Sequence, residues 1–333
     1  MKFAVALMIT AFAALTVWGQ APTLRVVTEI PNLPSDLYYG ATKVKPLRLR
    51  PGTNTPITIN DSDFFVNQQY VDFLSRFPDQ SGFDFWINQI ASCAGDSACI
   101  AGQRDNTSGA FFLSIEFQET GYLAERMYKV AFGDNTTATS TFGCPSACGG
   151  SSTRQLSVPI VRRSEFLPDT LQLSNGVIIG QPNAQQQLEA NKVAFASDFV
   201  SRPRFTSAFA TSLTPAQFVD ALFGNAGVTP SGSDRTAAIN EFGVAANTAD
   251  TAARGRSVRR VAENSTLTNA EKNKAFVLMQ YLGYLRRDPN SGQDTDYTGY
   301  DFWLQKLNNH GGDFHAAQMV RSFIVSGEYL NRF

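Results

Sequence analysis

The chain has 333 residues, 43% of them hydrophobic and 12% aromatic, which excludes a disordered polypeptide. A formal net charge of -1 excludes a general attraction to nucleic acid or to acidic lipid. The length allows one large core or two or three small ones.

Residues 1–19 read as a secretory signal peptide. Lys2 supplies the positive start, Phe3 to Trp18 carries no charge, and Val17-Trp18-Gly19 before Gln20 suits cleavage. The apolar run falls short of the ~20 residues that a membrane anchor needs. No later segment is apolar for long enough to span a bilayer. Residues 20–60 contain Pro22, Pro31, Pro34, Pro46, Pro51 and Pro56, with Leu47-Arg48-Leu49-Arg50 alternating like a strand. They read as an extended arm with little β structure.

Residues 61–132 read as a unit of three short helices. Val66, Tyr70, Phe73, Leu74 and Phe77 recur at three- and four-residue steps, so they share one helix face. Pro78 ends that helix, and Asp79 caps a second one carrying Phe83, Trp86, Ile87 and Ile90. Phe111, Phe112, Ile115 and Leu123 mark a third. Cys93 and Cys99 form one local cysteine pair and Cys144 and Cys148 another. In an exported chain an even, clustered set reads as disulfides, here the two local bonds. Neither pair has the C-x-x-C spacing of a zinc site.

Residues 133–156 are rich in Gly, Ser and Thr and read as a loop between units. Residues 157–210 read as a connecting helical region, with a turn at Ser174-Asn175-Gly176 and a short strand at Val177-Ile178-Ile179. Residues 211–264 and 265–333 read as two further units, the first of them degenerate. Tyr70, Phe218 and Tyr281 open the three copies, and Glu116, Glu263 and Glu328 close them after 46, 45 and 47 positions. Phe218-Val219-Asp220-Ala221-Leu222 echoes Tyr70-Val71-Asp72-Phe73-Leu74, but this copy lacks the Phe-Trp pair and the Pro-Asp turn. Thr214-Pro215-Ala216-Gln217 and Thr268-Asn269-Ala270-Glu271 offer capping boxes ahead of the last two units. The fold class that follows is all-α, built from repeated three-helix units.

The repeated elements are Gln-Tyr, Arg, Pro with Asp or Asn, Phe-Trp, and Ser-x-Glu with an aromatic residue. They stand at Tyr70, Arg76, Pro78, Asp79, Trp86 and Glu116, and again at Tyr281, Arg287, Pro289, Asn290, Trp303 and Glu328. This pattern resembles the bacterial family catalogued as domain of unknown function 4214. The resemblance implies a secreted or surface protein, often modular, helical and without assigned catalysis. Ser326 to Phe333 is also similar to the end of phycobilisome linker repeats. Asn290 stands where the family has Asp, and an acidic insertion precedes Trp303.

Catalytic signatures are sparse. The sequence has no Walker loop, nucleophile elbow or dinucleotide fingerprint. His310 and His315 are the only histidines, five residues apart across Gly311-Gly312, and read as surface residues at a turn. Asp288, Asn290, Asp294 and Asp296 alternate through one loop, which suits the early ligand positions of a calcium site. The sixth and twelfth positions are Gln293 and Gly299, against the EF-hand pattern of Gly and Glu. The three recurrent glutamates suggest a structural bond to a helix end or to Arg76 or Arg287, with glycoside hydrolysis as the rival. Arg254, Arg256, Arg259 and Arg260 read as a solvated helix face, with an acidic-polymer site as the rival. The functional expectation is a non-catalytic secreted or cell-surface module that binds an extracellular protein or glycan in a groove between units. No cofactor is expected beyond possible calcium. The alternatives are a hydrolase of extracellular polysaccharide and a calcium-dependent adhesion module.

Overall fold

The computed structural model describes residues 24–27, 36–39, 42–44 and 48–333. The expected signal peptide lies outside the described residues. The chain divides into two compact units, Met1–Pro46 and Leu47–Phe333. In the first, β1 (Leu24–Val27), β2 (Asp36–Tyr39) and β3 (Thr42–Val44) form an antiparallel sheet in chain order. Of the segment Leu47–Arg50, expected to alternate as a strand, residues 48–50 are described, and there Leu49 makes an isolated antiparallel bridge with Pro56.

The second unit is mainly helical. Its first part holds α1 (Ser62–Gln69), α2 (Gln80–Ala91), α3 (Ser97–Leu113), α4 (Ile115–Glu119) and α5 (Gly121–Phe132). A hairpin of β4 (Asp134–Ser140) and β5 (Arg154–Pro159) follows. Then come α6 (Arg163–Ser174), α7 (Ala184–Ser201), α8 (Pro203–Ala208), α9 (Pro215–Ala226), α10 (Gly232–Asn240) and α11 (Thr251–Ala262). The last part holds α12 (Ser265–Met279), α13 (Thr298–Asn309), α14 (Met319–Ile324) and α15 (Gly327–Leu330). No helix among the described residues is long and apolar enough to cross a membrane.

Local chemistry explains the helix starts. Asp79 accepts from the Gly82 amide, Asp96 from Cys99, and Ser114 from Phe117, each relieving an orphan donor of a first turn. Thr214 and Gln217 close the expected capping box. The box expected at Thr268 does not form. Asn264 caps α12 instead, and Thr268 lies inside the helix, its hydroxyl donating to the Asn264 carbonyl.

Both α1 and α12 run on into π-helical turns, Tyr70–Leu74 and Gln280–Leu285. Each turn ends on a non-glycine residue in the left-handed region, Ser75 at φ 54° and Arg286 at φ 52°. The two turns meet. Phe73 and Tyr284 occupy the same place in the repeat and pack edge to face at 5.0 Å. Phe73 then touches Phe117, and Tyr284 touches the counterpart Tyr329. Contact between equivalent residues is the mark of a local twofold relation. Asp72, whose side chain is fully buried, ties the halves together by accepting from Arg286 and Arg332.

Between these ends, α5 is the spine of the core. Every residue from Gly121 to Ala131 is buried, and the helix packs on α6, α9, α11 and α12. The expected middle copy is built differently. Phe218 sits among Phe205, Phe209 and Phe242 on an α-helix with no π turn. Glu263 accepts from Lys192 and Arg259 where the other copies use the arginine of the repeat. Its likeness to Tyr70 and Tyr281 is one of sequence spacing, not of surroundings.

Two expectations for connecting segments are corrected. Val177–Ile179 is not a strand but part of the irregular link from α6 to α7. Residues 133–156, expected as a loop, contain β4 and the start of β5. The alternation of Asp134-Asn135-Thr136-Thr137-Ala138-Thr139-Ser140 is too polar to signal a strand. The cysteines pair locally, Cys93 with Cys99 and Cys144 with Cys148.

Candidate binding pockets

The two end copies build the same side-chain constellation. Arg76 grips Glu116 in a two-point fork, Nε to Oε1 at 2.7 Å and Nη2 to Oε2 at 2.9 Å. Arg287 grips Glu328 likewise at 2.5 and 3.0 Å. Each guanidinium also lies over the tyrosine that opens its copy, 5.0 Å from Tyr70 and 5.3 Å from Tyr281. Tyr70 packs edge-on to Phe111 and Tyr281 to Phe323, and Trp86 and Trp303 lean on those phenylalanines. Burial, then the nearby carboxylates Asp79 and Asp294, pushes both tyrosine hydroxyls above their ordinary range.

Each constellation walls a cavity. The first, of about 310 Å³, lies between Tyr70, Trp86, Phe111 and Ile115, with Arg76 and Glu116 in its lining. The second, of about 300 Å³, lies between Tyr281, Trp303 and Phe323 with Arg287 and Glu328. Both are at the small end of ligand pockets. The two glutamates are held by arginine, so these sites offer rings for stacking and polar edges for orientation.

Glycine is required beside each tyrosine. A Cβ on Gly82 would stand 2.2 Å from the Tyr70 hydroxyl, and one on Gly299 would stand 2.6 Å from that of Tyr281. We expect Gly82→Ala to push the tyrosine off the pocket wall and to cost about 1–3 kcal/mol, the usual penalty of overpacking. Chemical denaturation checks this, and an unchanged midpoint would refute it.

The proline positions are equivalent, but the residues after them are not. Pro78-Asp79 leads directly into α2. After Pro289-Asn290 seven more residues intervene before α13, and Asp296 does the work of Asp79. Asp79 accepts from the Ser81 hydroxyl and the Gly82 amide, while Asp296 accepts from the Thr298 hydroxyl and amide. The expected calcium ligands therefore face separate protein donors. Asp288 accepts from the Arg163 amide, Asn290 from Arg162, and Asp294 from Arg287. No group of three or more acidic, histidine or cysteine side chains among the described residues converges on a point where a metal would sit. His310 and His315 are exposed, and the His315 ring rests on Phe314.

The four clustered arginines do not form a basic face. Arg254 is buried, donates to the Phe209 carbonyl and lies over Phe205 and Phe218. Arg256 and Arg260 share Glu241, and Arg259 is held by Glu189 and Glu263. The cavity that Arg256, Arg259 and Arg260 border carries four carboxylates, Glu189, Asp234, Glu241 and Glu263, against these three guanidiniums, so it has no basic excess to hold an acidic polymer.

A buried charge network went unread in the sequence. Lys129 meets Asp134 at 2.6 Å and Glu271 at 3.6 Å, and Lys274 meets the same two carboxylates at 3.3 and 3.0 Å. Glu125 lies beside them, fully buried, with no hydrogen-bond partner on either oxygen among the described residues. Burial, then the Glu271 carboxylate, holds its carboxyl well above the usual range. The only hint was the placement of Glu125, Arg126 and Lys129 inside an otherwise apolar run, Tyr122 to Phe132. This raised carboxyl lines neither of the two aromatic cavities. Comparison with protein families, curated proteins and solved structures gives no match to this chain.

Proposed function

We propose that the chain is a non-catalytic interaction module that acts outside the cell, taking an extracellular glycan or protein group into its aromatic cavities. One observation carries this reading. Tyrosine, tryptophan and phenylalanine wall both cavities, and the two carboxylates lining each are already partnered: Glu116 and Glu328 in arginine forks, Asp294 by Arg287, and Asp79 by the Ser81 hydroxyl and the Gly82 amide. Ring faces with a few oriented polar groups are the usual makeup of a binding site. A carboxylate held by two charge-assisted bonds is fixed in place and already partnered.

One further fact supports an extracellular setting. Both cysteine pairs are disulfide-bonded, as suits an oxidising compartment.

The test is a glycan array and a pulldown against the producer's envelope, each with and without calcium. We expect Trp86→Ala to weaken capture about tenfold or more while the melting transition stays cooperative, since stacking on one ring contributes roughly 1–3 kcal/mol. Unaltered capture by the Trp86→Ala and Trp303→Ala proteins would remove the cavities from the function.

A further inference from the structure

The second helix of each end copy carries the same three groups on one face. On α2 they are Ser81, Asp84 and Phe85, and on α13 they are Thr298, Asp301 and Phe302. A hydroxyl, a carboxylate and a ring at steps of three and four residues from the first lie side by side. The local geometry is also the same. Each hydroxyl donates to the preceding aspartate, Ser81 to Asp79 at 2.8 Å and Thr298 to Asp296 at 3.0 Å. Phe85 meets Trp86 at 4.9 Å and 76°, and Phe302 meets Trp303 at 4.8 Å and 76°.

On α13 the chain shows what this face holds. The β4–β5 hairpin lies across it. The Thr141 amide donates to the Thr298 hydroxyl at 2.8 Å. Arg154 donates to both oxygens of Asp301 at 2.7 and 2.6 Å, and Ser140 adds a third bond at 2.6 Å. Phe142 packs edge-on to Phe302 at 5.3 Å. Asp301 is left 4% exposed.

On α2 the same face is open. Phe85 is 53% exposed, and Asp84 is exposed with Gln80 on one oxygen as its partner among the described residues. A single exposed phenylalanine needs no explanation. A phenylalanine, a carboxylate and a hydroxyl repeated in the geometry that holds a hairpin elsewhere in the same chain does need one.

We propose that this face of α2 docks a hairpin of a partner protein that presents an aromatic side chain on one arm and an arginine on the other. The aromatic group sits on Phe85 as Phe142 sits on Phe302. The arginine reaches both oxygens of Asp84, as Arg154 Nη2 reaches both oxygens of Asp301, and a backbone amide reaches the Ser81 hydroxyl. The partner is a protein because the counterpart contact includes a main-chain donor at a fixed distance from the two side chains. This proposal concerns the outer face of α2 and does not rest on the cavity reading.

The chain supplies its own probe. A synthetic peptide of residues 139–154, closed by the Cys144–Cys148 disulfide, is titrated into the full protein carrying ¹⁵N-labelled tryptophans. We expect the Trp86 indole signal to shift saturably while that of Trp303 stays in place. Phe85→Ser or Asp84→Asn in the protein, and Phe142→Ala or Arg154→Ala in the peptide, should each weaken binding about tenfold. Phe85 and Asp84 are exposed, so these variants keep the fold, which the unshifted Trp303 signal verifies. Absence of a saturable shift up to about 1 mM peptide, or equal affinity in the variants, overturns the proposal. Self-association of the full protein that Phe85→Ser abolishes would also overturn it, by putting a second copy where a foreign partner is proposed.

Discussion

Replacing Arg76 by alanine should destabilise the protein by about 3–5 kcal/mol at neutral pH, the range found when one member of a buried ion pair is removed. The Glu116 side chain is 5% exposed and depends on Arg76 for both of its charge-assisted bonds. Without the guanidinium a charge would stay in the interior, and the Tyr70 ring would lose its cation neighbour. Arg287→Ala should cost less, about 1–3 kcal/mol, because Glu328 is 26% exposed and water can solvate it. Arg76→Lys keeps the charge without the planar fork and should recover less than half of the loss. Urea denaturation of the three proteins checks the ranking. Equal midpoints for Arg76→Ala and Arg287→Ala would show that burial does not set the cost.

The second large effect concerns pH. Glu125 is buried beside Glu271, with Arg126, Lys129 and Asp134 also acting on it. Tyr122 and Tyr300 are buried in the same region, and both are raised in turn by burial first and then by the glutamates. The folded chain therefore holds a proton on Glu125 at pH values where the unfolded chain releases it. Its contribution to stability is full below the unfolded carboxyl pKa of about 4.3 and is lost as pH climbs toward the raised folded value. Within that window the slope is about 1.4 kcal/mol per pH unit. We expect Glu125→Gln to remove this slope, so that the variant gains on the wild type as pH rises above the unfolded carboxyl value of about 4.3. A pH profile parallel to that of the wild type would refute the assignment.

Helical periodicity made much of the fold legible. The stripe Val66, Tyr70, Phe73 and Leu74 is buried as its spacing implies. Phe77, placed on the same stripe, is half exposed, because the π turn and the left-handed Ser75 rotate the chain before it arrives. A π turn adds a residue without altering composition, so spacing alone does not reveal it. The β4–β5 hairpin was hidden for another reason. Its cover is α13, some 150 residues away, and no local pattern records a contact at that range. In the cavities, the pairing of Arg76 with Glu116 was within reach because both residues recur. The seven-residue insertion before α13 misled the reading. It placed Asn290 opposite Asp79 by its neighbouring proline, whereas the aspartate that accepts from the first residue of α13 is Asp296. Glu125 escaped because an acidic residue in an amphipathic helix is normally assigned to its wet side, and α5 has none.

The clasp of Arg332 on Asp72 bears on synthesis. Donor and acceptor are 260 residues apart. At the usual pace of about 5–20 residues per second, a ribosome needs roughly 13–50 s to travel from one to the other. Throughout that interval the first helices lack the Tyr284 ring that packs on Phe73 and the arginine that closes on Asp72, which leaves that surface open to chaperones and to mispairing between nascent chains. Maturation of the amino-terminal half is thus timed by the arrival of Arg332.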